Sequence, residues 1–552
     1  MYASGNINNS GMEKKNLHLL LTVSAAILLM FYNLWVPSIW NPNEAFYAEA
    51  AREMLETGDF LVPHFNYEPR FQKPALLYWL VSASYLIFGI TEFAARIVSA
   101  VLASGTVLVT FLTGRLVCKS TRGGLLSAVV LATSFEFNQA ARYTSPEMTL
   151  LFFTAFALYA FLEGLTRSNR YWFYASYVCM GLAALTKGPV GFILPSLCIA
   201  VFFVVTGRWD ALSKIKPHYG IAIIVFIAAP WFLYMIHTFG EQYTSVVFGE
   251  NVKRFMGEYG KSGNIFYYFS VLPWNFLPWS PFLVIASISF VKDYIRKDLN
   301  EKDIYIGVWF LTVFGFFSLS AGKLPPYLLP LFPAASVMAG RYFDRKIENE
   351  ESSGKVLMLL SLFVFLLIIS AVVSLSLTLG LSSYSLIAGL SSFSLPAVFI
   401  LKDRKPSGIF LSTGVAMLVF LFFFLTFILP HIEMKRPYRL IGERINNYDP
   451  QKKSEFVSLG YLPDNLPYYA KRQVRRLKNI NEIESKNMAG PKIVMLRESD
   501  YLKMDSSMKI SCGILDRFQL YTKSESRFLK FIQSVKSGKD FDNFILLKCD
   551  PK

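Results

Sequence analysis

The sequence predicts a polytopic α-helical membrane protein of the multi-helix type, with a small α/β domain at its C-terminal end. First, 53% of the 552 residues are hydrophobic and only 17% are charged, whereas soluble domains are about one quarter charged. Second, many apolar runs of about 17 to 25 residues alternate with polar loops, and an α-helix needs this length to cross a bilayer. Third, the apolar runs stop near residue 430 and the remaining chain is polar.

The apolar segments predict about thirteen membrane-crossing helices. Segment 75–89 is short for a hydrocarbon core of about 30 Å, so we expect it to re-enter the membrane or to lie on its surface. In chain order the candidate segments are 17–37, 75–89, 93–115, 123–138, 148–165, 171–186, 188–206, 219–237, 265–291, 304–320, 326–343, 356–379, 381–401 and 408–430.

Short basic loops predict the orientation, because loops rich in lysine and arginine stay on the cytoplasmic side. They are 14–15, 115–122, 167–170, 208–216, 292–302, 345–355 and 402–405. Their placement puts loop 41–74 and everything after residue 430 outside the cytoplasm. The net charge of +16 is then explained by these loops and by attraction to anionic membrane lipid. We therefore expect no nucleic-acid partner.

The outward loops carry charges directly at helix ends, where the orientation rule does not favour cations. Each one taken alone is explained by a side chain that reaches the lipid headgroups. Taken together, five such segments on one side predict a basic cavity for an anionic ligand such as a phosphate. One of the five segments is loop 41–74, and the other four carry Arg142, Glu147, Lys187, Lys253, Arg254 and Lys323.

Two domains are predicted, a membrane domain over 1–430 and a soluble α/β domain over 431–552. In the second we expect strands at 455–460, 492–497 and 541–549, and helices at 481–486 and 526–537. Cys512 and Cys549 both lie there, so a disulfide between them is possible. The cysteines and histidines show no metal-ligand spacing, and the chain has no glycine-rich nucleotide fingerprint.

Loop 41–74 is a polar island between apolar runs. A sugar transferase that works outside the cell would take its sugar from a lipid-phosphate donor. Cations would then have to hold the phosphate as it leaves the sugar. A carboxylate would take a proton from an acceptor hydroxyl. The candidate cations are Lys73, Arg142, Lys187, Arg254 and Lys323, and the candidate bases are Glu44 and Glu147.

The loop also carries a family resemblance. The run NEAFYAEAAREMLETGDFLVPHFNYEPRFQKPALLYWL, followed by FGITEFAARIVSA, resembles the first outer loop of the glycosyltransferase-C superfamily, closest to family 39. That family includes lipid A aminoarabinose transferases and protein O-mannosyltransferases. Later blocks in the family's order are ARYTSPEMTLLFF, LTKGPVGFILP, ENVKRF, LPWNFLPW and SLSAGKLPPYLLPLFPA.

The resemblance implies an inverting glycosyltransferase of the bacterial inner membrane. Its donor would be a polyprenyl-phosphate sugar, its acceptor lipid A, another glycan or a protein, and its active site and C-terminal domain would be periplasmic. The family match also implies that Lys73, Arg142, Lys187 and Lys323 bind substrate. Tyr327, beside Lys323, is a candidate contact to the donor phosphate, with a packing role as the alternative.

Some positions depart from the family pattern. Asn43 replaces the usual aspartate, Phe46 replaces an arginine, Gln72 replaces a glutamate, and Glu147 replaces an aspartate. Amides are poor substitutes for carboxylate ligands, so a bound divalent metal is an open alternative that Asn43 and Gln72 disfavour, and the sequence specifies no cofactor. If the acceptor is an ionised phosphate, no base is needed and Asn43 hydrogen-bonds the sugar. If it is a hydroxyl, Glu44 or Glu147 must act as base, and the sequence favours Glu44.

Two other classes of function remain open. An inactive family member could act as a binding scaffold, since two acids and one cation of the family pattern are missing. A transporter of lipid-linked sugars would also use an outward basic cavity, but it predicts inverted repeats, and the sequence has no internal repeat.

Overall fold

A computed structural model describes residues 4–258, 263–349, 354–394, 405–483, 490–504, 511–525 and 528–549. The helices of the part before residue 434 are α1 (Ser4–Phe31), α2 (Asn43–Thr57), α3 (Leu76–Phe88), α4 (Glu92–Cys118), α5 (Thr121–Ala132), α6 (Phe135–Ala141), α7 (Pro146–Arg167), α8 (Arg170–Lys187), α9 (Val190–Thr206), α10 (Leu212–Ile215), α11 (Pro217–Phe239), α12 (Glu241–Phe248), α13 (Arg254–Met256), α14 (Tyr267–Asn275), α15 (Ser280–Ile295), α16 (Glu301–Leu319), α17 (Phe332–Glu348), α18 (Gly354–Leu379), α19 (Ser383–Ser392), α20 (Pro406–Phe423) and α21 (Leu429–Glu433). Short 3₁₀ turns lie at Trp209–Ala211 and Pro325–Leu331, and π-helical turns at Gly249–Lys253 and Phe424–Ile428.

The helices confirm a polytopic membrane protein. Within the described ranges, 6 helices are long and apolar enough to cross a membrane, and the pair α14 and α15, bent by 115°, adds one if it is a single span. Shorter apolar helices accompany them, so the predicted number of about thirteen crossings stays a prediction. The predicted segment 381–401 is described only as far as residue 394, and parts of the basic loops 345–355 and 402–405 also lie outside the described residues.

Helix α3, from the short segment 75–89, has 13 residues. At 1.5 Å per residue it is roughly 20 Å long, too short for a straight crossing. It packs on α2, where Ser82 Oγ donates to the carbonyl of Ala51 at 3.0 Å and Tyr85 OH donates to that of Ala48 at 3.1 Å. The first loop is therefore built as two helices that lean on each other.

The C-terminal domain contains a 5-stranded mixed sheet. After the small hairpin of β1 (His64–Phe65) and β2 (Glu68–Pro69) in the first loop, its strands are β3 (Glu455–Leu459), β4 (Val474–Leu477), β5 (Lys492–Arg497), β6 (Cys512–Tyr521) and β7 (Phe541–Cys549). Its helices are α22 (Tyr438–Tyr448), α23 (Leu466–Ala470), α24 (Glu498–Leu502) and α25 (Phe528–Ser537), with a 3₁₀ turn at Ile480–Ile483.

The strand order is β4-β3-β5-β7-β6. Strand β3 pairs in parallel with β4 and β5, whereas β7 runs antiparallel to β5 and β6. The three predicted strands are confirmed, and β4 and β6 are additional, because their polar residues hid them. The predicted helix 481–486 is a 3₁₀ turn as far as it is described, and 526–537 is helical from Phe528. A disulfide joins Cys512 to Cys549 across β6 and β7.

One apolar core joins the first loop to the C-terminal domain. It contains Ala48 and Ala51 of α2, Tyr78 of α3, Ile441 of α22 and Phe456 of β3, all of them buried. The small side chains on α2 let the neighbouring elements approach closely. The first loop is thus held between the membrane helices and the sheet.

Candidate active site

The centre of the candidate site is a carboxylate shared by two cations. Glu250 lies in the π-helical turn and is 7% exposed. Its Oε2 accepts a hydrogen bond from Lys73 Nζ at 2.7 Å, and its Oε1 accepts one from Arg254 Nη2 at 2.8 Å. Lys73 comes from the first loop, whereas Glu250 and Arg254 are one helical turn apart. The fold therefore brings an anion-binding pair of cations together from two distant segments.

Lys73 is an unusual lysine because it is buried among other cations. Burial lowers the pKa of its ammonium group below the ordinary value, the Glu250 carboxylate opposes this, and the charges of Lys187 and Arg254 add to the lowering. Lys73 and Lys187 also line one narrow cavity of about 10 Å³ together with Asn251. This volume admits about one water molecule, so side chains must move before a larger ligand enters.

Lys187 and Glu147 form a second ion pair beside the first. Lys187 Nζ donates to Glu147 Oε1 at 3.0 Å, and the two side chains are 12% and 17% exposed. Glu147 lies in the first turn of α7, where the helix dipole favours a negative charge. Lys187 Nζ also lies 4.4 Å from the ring centre of Tyr327. The fold therefore gathers these three predicted site residues in one place.

Lys323 caps a helix end. Its Nζ donates to the carbonyl oxygens of Phe317, Ser318 and Ser320 at 3.1, 2.7 and 2.7 Å, which satisfies the free carbonyls at the end of α16. The preceding Gly322 donates its backbone N–H to the carbonyl of Arg254 at 3.0 Å. A Cβ at Gly322 would lie 2.5 Å from Arg254 Cγ, so glycine permits the close contact that places Arg254.

Arg142 caps another helix. Its Nη1 donates to the carbonyls of Leu29 and Met30, at 2.7 and 3.2 Å, at the end of α1. Burial lowers the pKa of its guanidinium to about 9, and the charge of Arg96 adds to this. Arg142 therefore secures the α6–α7 connection that leads into Glu147.

Glu44 is entirely buried and engaged by four donors. Arg96 donates to its two oxygens at 2.8 and 2.6 Å, and the backbone N–H groups of Trp40 and Thr144 donate at 2.9 and 3.0 Å. Both carboxylate oxygens are thus occupied by the protein. Its neighbour Asn43, in the first turn of α2, is exposed. Glu44 thus anchors the loop, and Asn43 remains accessible.

Sequence reasoning missed three residues of this region. Glu250 had a local signal, since it stands four residues before Arg254, the spacing of neighbours on one helical face. Arg70 had none: its Cζ lies 4.1 Å from the ring centre of Phe46, so its guanidinium lies over that side chain. Glu136 on α6 is buried at 6% exposure, and its charge interacts with that of Glu147.

No group of three or more His, Cys, Asp or Glu side chains is arranged to hold a metal ion within the described ranges. The charged groups that converge are instead cations interleaved with single carboxylates. Such an arrangement can bind an anion and stabilise negative charge that develops on it. The fold and the site together define a polytopic membrane protein with a candidate anion-binding site where the helices and the first loop meet.

The comparisons with known proteins specify the family. Residues 16–239 match the model of the family described as dolichyl-phosphate-mannose-protein mannosyltransferase. A protein of Aquifex aeolicus (strain VF5), itself uncharacterized, is 34% identical over 537 residues, which covers 97% of this chain and 99% of that protein. The chain belongs to family 39 of the glycosyltransferase-C superfamily and is a membrane glycosyltransferase.

Relatives with named activities match over a shorter stretch. The undecaprenyl phosphate-alpha-4-amino-4-deoxy-L-arabinose arabinosyl transferase 1 of Proteus mirabilis (strain HI4320) is 30% identical over 345 residues, and the match spans 60% of this chain and 60% of that protein. The crystal structure of ArnT from Cupriavidus metallidurans bound to undecaprenyl phosphate has the same fold, with a TM-score of 0.76 and 20% identity over 97% of this chain and 99% of that chain.

Proposed function

We propose that the protein transfers a sugar, with inversion, from a polyprenyl-phosphate donor to an acceptor on the periplasmic face of the bacterial inner membrane. The single observation that carries the proposal is the Lys73–Glu250–Arg254 cluster, in which two cations converge on one anionic group. The name of the Proteus mirabilis relative and the undecaprenyl phosphate of the ArnT structure support this donor class.

The donor phosphate would bind Lys73 and Arg254 in place of the Glu250 carboxylate. Glu250 already presents two oxygens to these cations, as a phosphate would. Its carboxylate therefore keeps the Lys73 and Arg254 side chains directed into the site before a donor binds. When the bond between the sugar and the phosphate breaks, the leaving phosphate gains negative charge. Lys73, Arg254 and the neighbouring Lys187 would stabilise that charge, and this is the interaction that accelerates the reaction.

Glu147 is the better candidate for the base, if the acceptor is a hydroxyl. It is partly exposed, and its partners are Lys187 in an ion pair and Ser145 in a hydrogen bond, so fewer contacts have to break before it takes a proton from an acceptor. Glu44 would have to break up to four hydrogen bonds first. Asn43, exposed at the start of α2, would hydrogen-bond the sugar or the acceptor.

The remaining predicted residues would act by positioning Arg254, Lys187 and Glu147. Lys323 positions Arg254 through the turn at Gly322, and Tyr327 lies against Lys187. Arg142 holds the segment before Glu147. Arg70, stacked on Phe46, would supply a further positive charge from the first loop.

A transfer assay with purified protein and a panel of polyprenyl-phosphate sugars tests the proposal. Lys73→Ala should lower kcat/KM by roughly 10²-fold, since one charged donor to a developing anion is lost. Lys453→Ala, at an exposed lysine of the C-terminal domain, is the matched control and should leave activity unchanged. Full activity of Lys73→Ala would refute the phosphate site. A wild-type protein that binds donors without transferring any sugar would favour the scaffold function.

A further inference from the structure

A second basic cavity lies between α4, α7 and α16, apart from the candidate active site. Its volume is about 210 Å³, and its lining includes Arg115 and Lys119 at the end of α4 together with Lys302 at the start of α16. From the end of α7, Glu163 and Arg167 reach the same cavity, and Tyr159 forms part of the wall.

The cavity lies at the far end of the helices that carry the active site. Helix α7 begins with Glu147 in its first turn and ends at Arg167, and its 22 residues span roughly 33 Å at 1.5 Å per residue. Helix α16 runs from this cavity towards Lys323 in the opposite direction. A hydrocarbon core is about 30 Å thick, so the two sites lie at opposite surfaces of the membrane.

The charges in the cavity are not balanced by the protein. Its one carboxylate, Glu163, is already paired with Arg167. Lys302 Nζ has only a long hydrogen bond of 3.4 Å to the carbonyl of Leu116. Among the described residues, Arg115 and Lys119 form no ion pair. Three of the four cations therefore form no ion pair among the described residues, although the charges of Glu163 and Glu301 act on Lys302 from a distance. An anion that enters between these cations relieves their repulsion.

The volume of the cavity and the donor groups that line it suit a phosphate group. A water molecule occupies about 30 Å³ of liquid volume, so the cavity holds a group several times larger. Arginine presents a planar fork of donors that matches phosphate oxygens, and lysine adds a point charge. Cations that merely follow the orientation rule spread into the headgroup layer, whereas these come from three helices and converge on one space.

An apolar surface leads from the cavity into the membrane. Leu108, one helical turn before the lining residue Leu112, is 57% exposed, and Val101, two turns further along the same face of α4, is 53% exposed. Acyl chains can lie against these side chains while a headgroup occupies the cavity. This continuity favours a lipid over a free phosphate ion as the source of the phosphate.

We propose that this cavity binds the phosphate of an anionic phospholipid at the membrane surface opposite the active site. Arg115, Lys119 and Lys302 hold the phosphate oxygens, and the acyl chains follow the exposed face of α4. Basic pockets between membrane helices are suited to anionic headgroups. The site does not depend on the sugar transferred or on the acceptor.

Native mass spectrometry of the purified full-length protein tests this site. Phosphatidylglycerol, phosphatidylcholine and inorganic phosphate are titrated separately. The wild type should bind phosphatidylglycerol in clear preference to phosphatidylcholine. Arg115→Gln with Lys119→Gln should weaken phosphatidylglycerol binding about tenfold, because charge-assisted hydrogen bonds are lost. Lys214→Gln with Arg296→Gln removes the same charge from exposed positions outside the cavity and should have no effect.

Three outcomes would overturn the proposal. Equal binding of phosphatidylglycerol to the cavity variant and to the control variant would show that the lipid binds elsewhere. Equal binding of inorganic phosphate at the same concentration would make a free anion the ligand. If the double variant does not fold, the wild type alone decides, since equal affinity for the anionic and the zwitterionic lipid would exclude a headgroup site.

Discussion

At the scale of single residues, the two candidate bases have opposite surroundings. Glu44 is fully buried and holds Arg96, which in turn donates to the carbonyls of Leu34 and Pro37. Glu147 is partly exposed and holds only Lys187 by an ion pair. The same chemical group therefore maintains the structure in one place and is accessible to a substrate in the other.

Substitution separates these roles. If the acceptor is a hydroxyl, Glu147→Gln should lower kcat by roughly 10² to 10⁴-fold, the usual contribution of a general base, and leave the unfolding temperature nearly unchanged. Glu44→Gln should instead destabilise the protein by about 3–5 kcal/mol, because it leaves the buried Arg96 without its counter-charge. Transfer assays and thermal unfolding in detergent measure the two effects. A stable Glu44→Gln protein with no activity would reverse the assignment.

Lys73 should set the alkaline limit of activity. Burial lowers its pKa from 10.5, so the protonated form, which we propose binds the donor phosphate, is lost at a lower pH than in an ordinary lysine. We expect kcat/KM to fall as the pH rises through this lowered pKa. Lys73→Arg keeps the positive charge at high pH, since arginine does not lose its proton in this range, and should move the fall to higher pH. If the dependence of kcat/KM on pH is unchanged in this variant, the loss of activity at high pH is caused by another group.

At the scale of elements, the first loop is held in place by the C-terminal domain. Arg436 donates to Glu525 at 2.9 and 2.8 Å and to the carbonyls of Ser38 and Ile39 at 3.0 and 3.1 Å. Its guanidinium also lies 3.9 Å from the ring centre of Trp40. Glu525 accepts the backbone N–H of Asn41 at 2.9 Å. The start of the loop is therefore fixed by two buried charges from beyond the last membrane helix.

Arg436→Ala should loosen this junction. The change leaves Glu525 buried and unpaired, which costs about 3–5 kcal/mol, and removes the bonds to the loop backbone. We expect faster proteolysis within residues 36–74 and a lower unfolding temperature. Arg475→Ala, at an exposed arginine whose side chain is 54% exposed, is the control. Equal protease resistance of the two variants would mean that apolar packing alone holds the loop.

At the scale of the whole molecule, two polar sites at opposite ends of the helices give the protein a direction in the membrane. The candidate active site and the C-terminal domain share the end where α7 begins, and the basic cavity lies where α7 ends. The basic loops 115–122, 167–170, 208–216 and 292–302 also belong to the cavity end. The proposed periplasmic orientation follows from this distribution of charge.

Cysteine labelling in intact cells tests the orientation. In a Cys118→Ser background, Lys453→Cys should react with a membrane-impermeant thiol reagent, since the C-terminal domain is expected outside. Lys214→Cys, in the loop between α9 and α11, should react only after the cells are opened. Both lysines are exposed, so accessibility of the side chain is matched. The reverse pattern would invert the proposed topology.

The sequence by itself determined the class of fold and the family. The length of apolar runs, the charge of loops and contiguous motifs are local properties. They can be identified in the sequence without knowing which segments are in contact. The strands 492–497 and 541–549 could be predicted for the same reason, because each contains an unbroken apolar run, at 493–496 and at 544–547. Strand β4, with two arginines in four residues, carries no such pattern.

Only the tertiary structure decided which charges meet. Lys73 and Glu250 are 177 residues apart in the chain, and Arg96 and Glu44 are 52 apart. Because no local pattern encodes such pairs, the sequence could not separate the anchored Glu44 from the accessible Glu147, nor find Glu250. The same holds for the basic cavity, whose cations come from three helices and combine only when those helices pack.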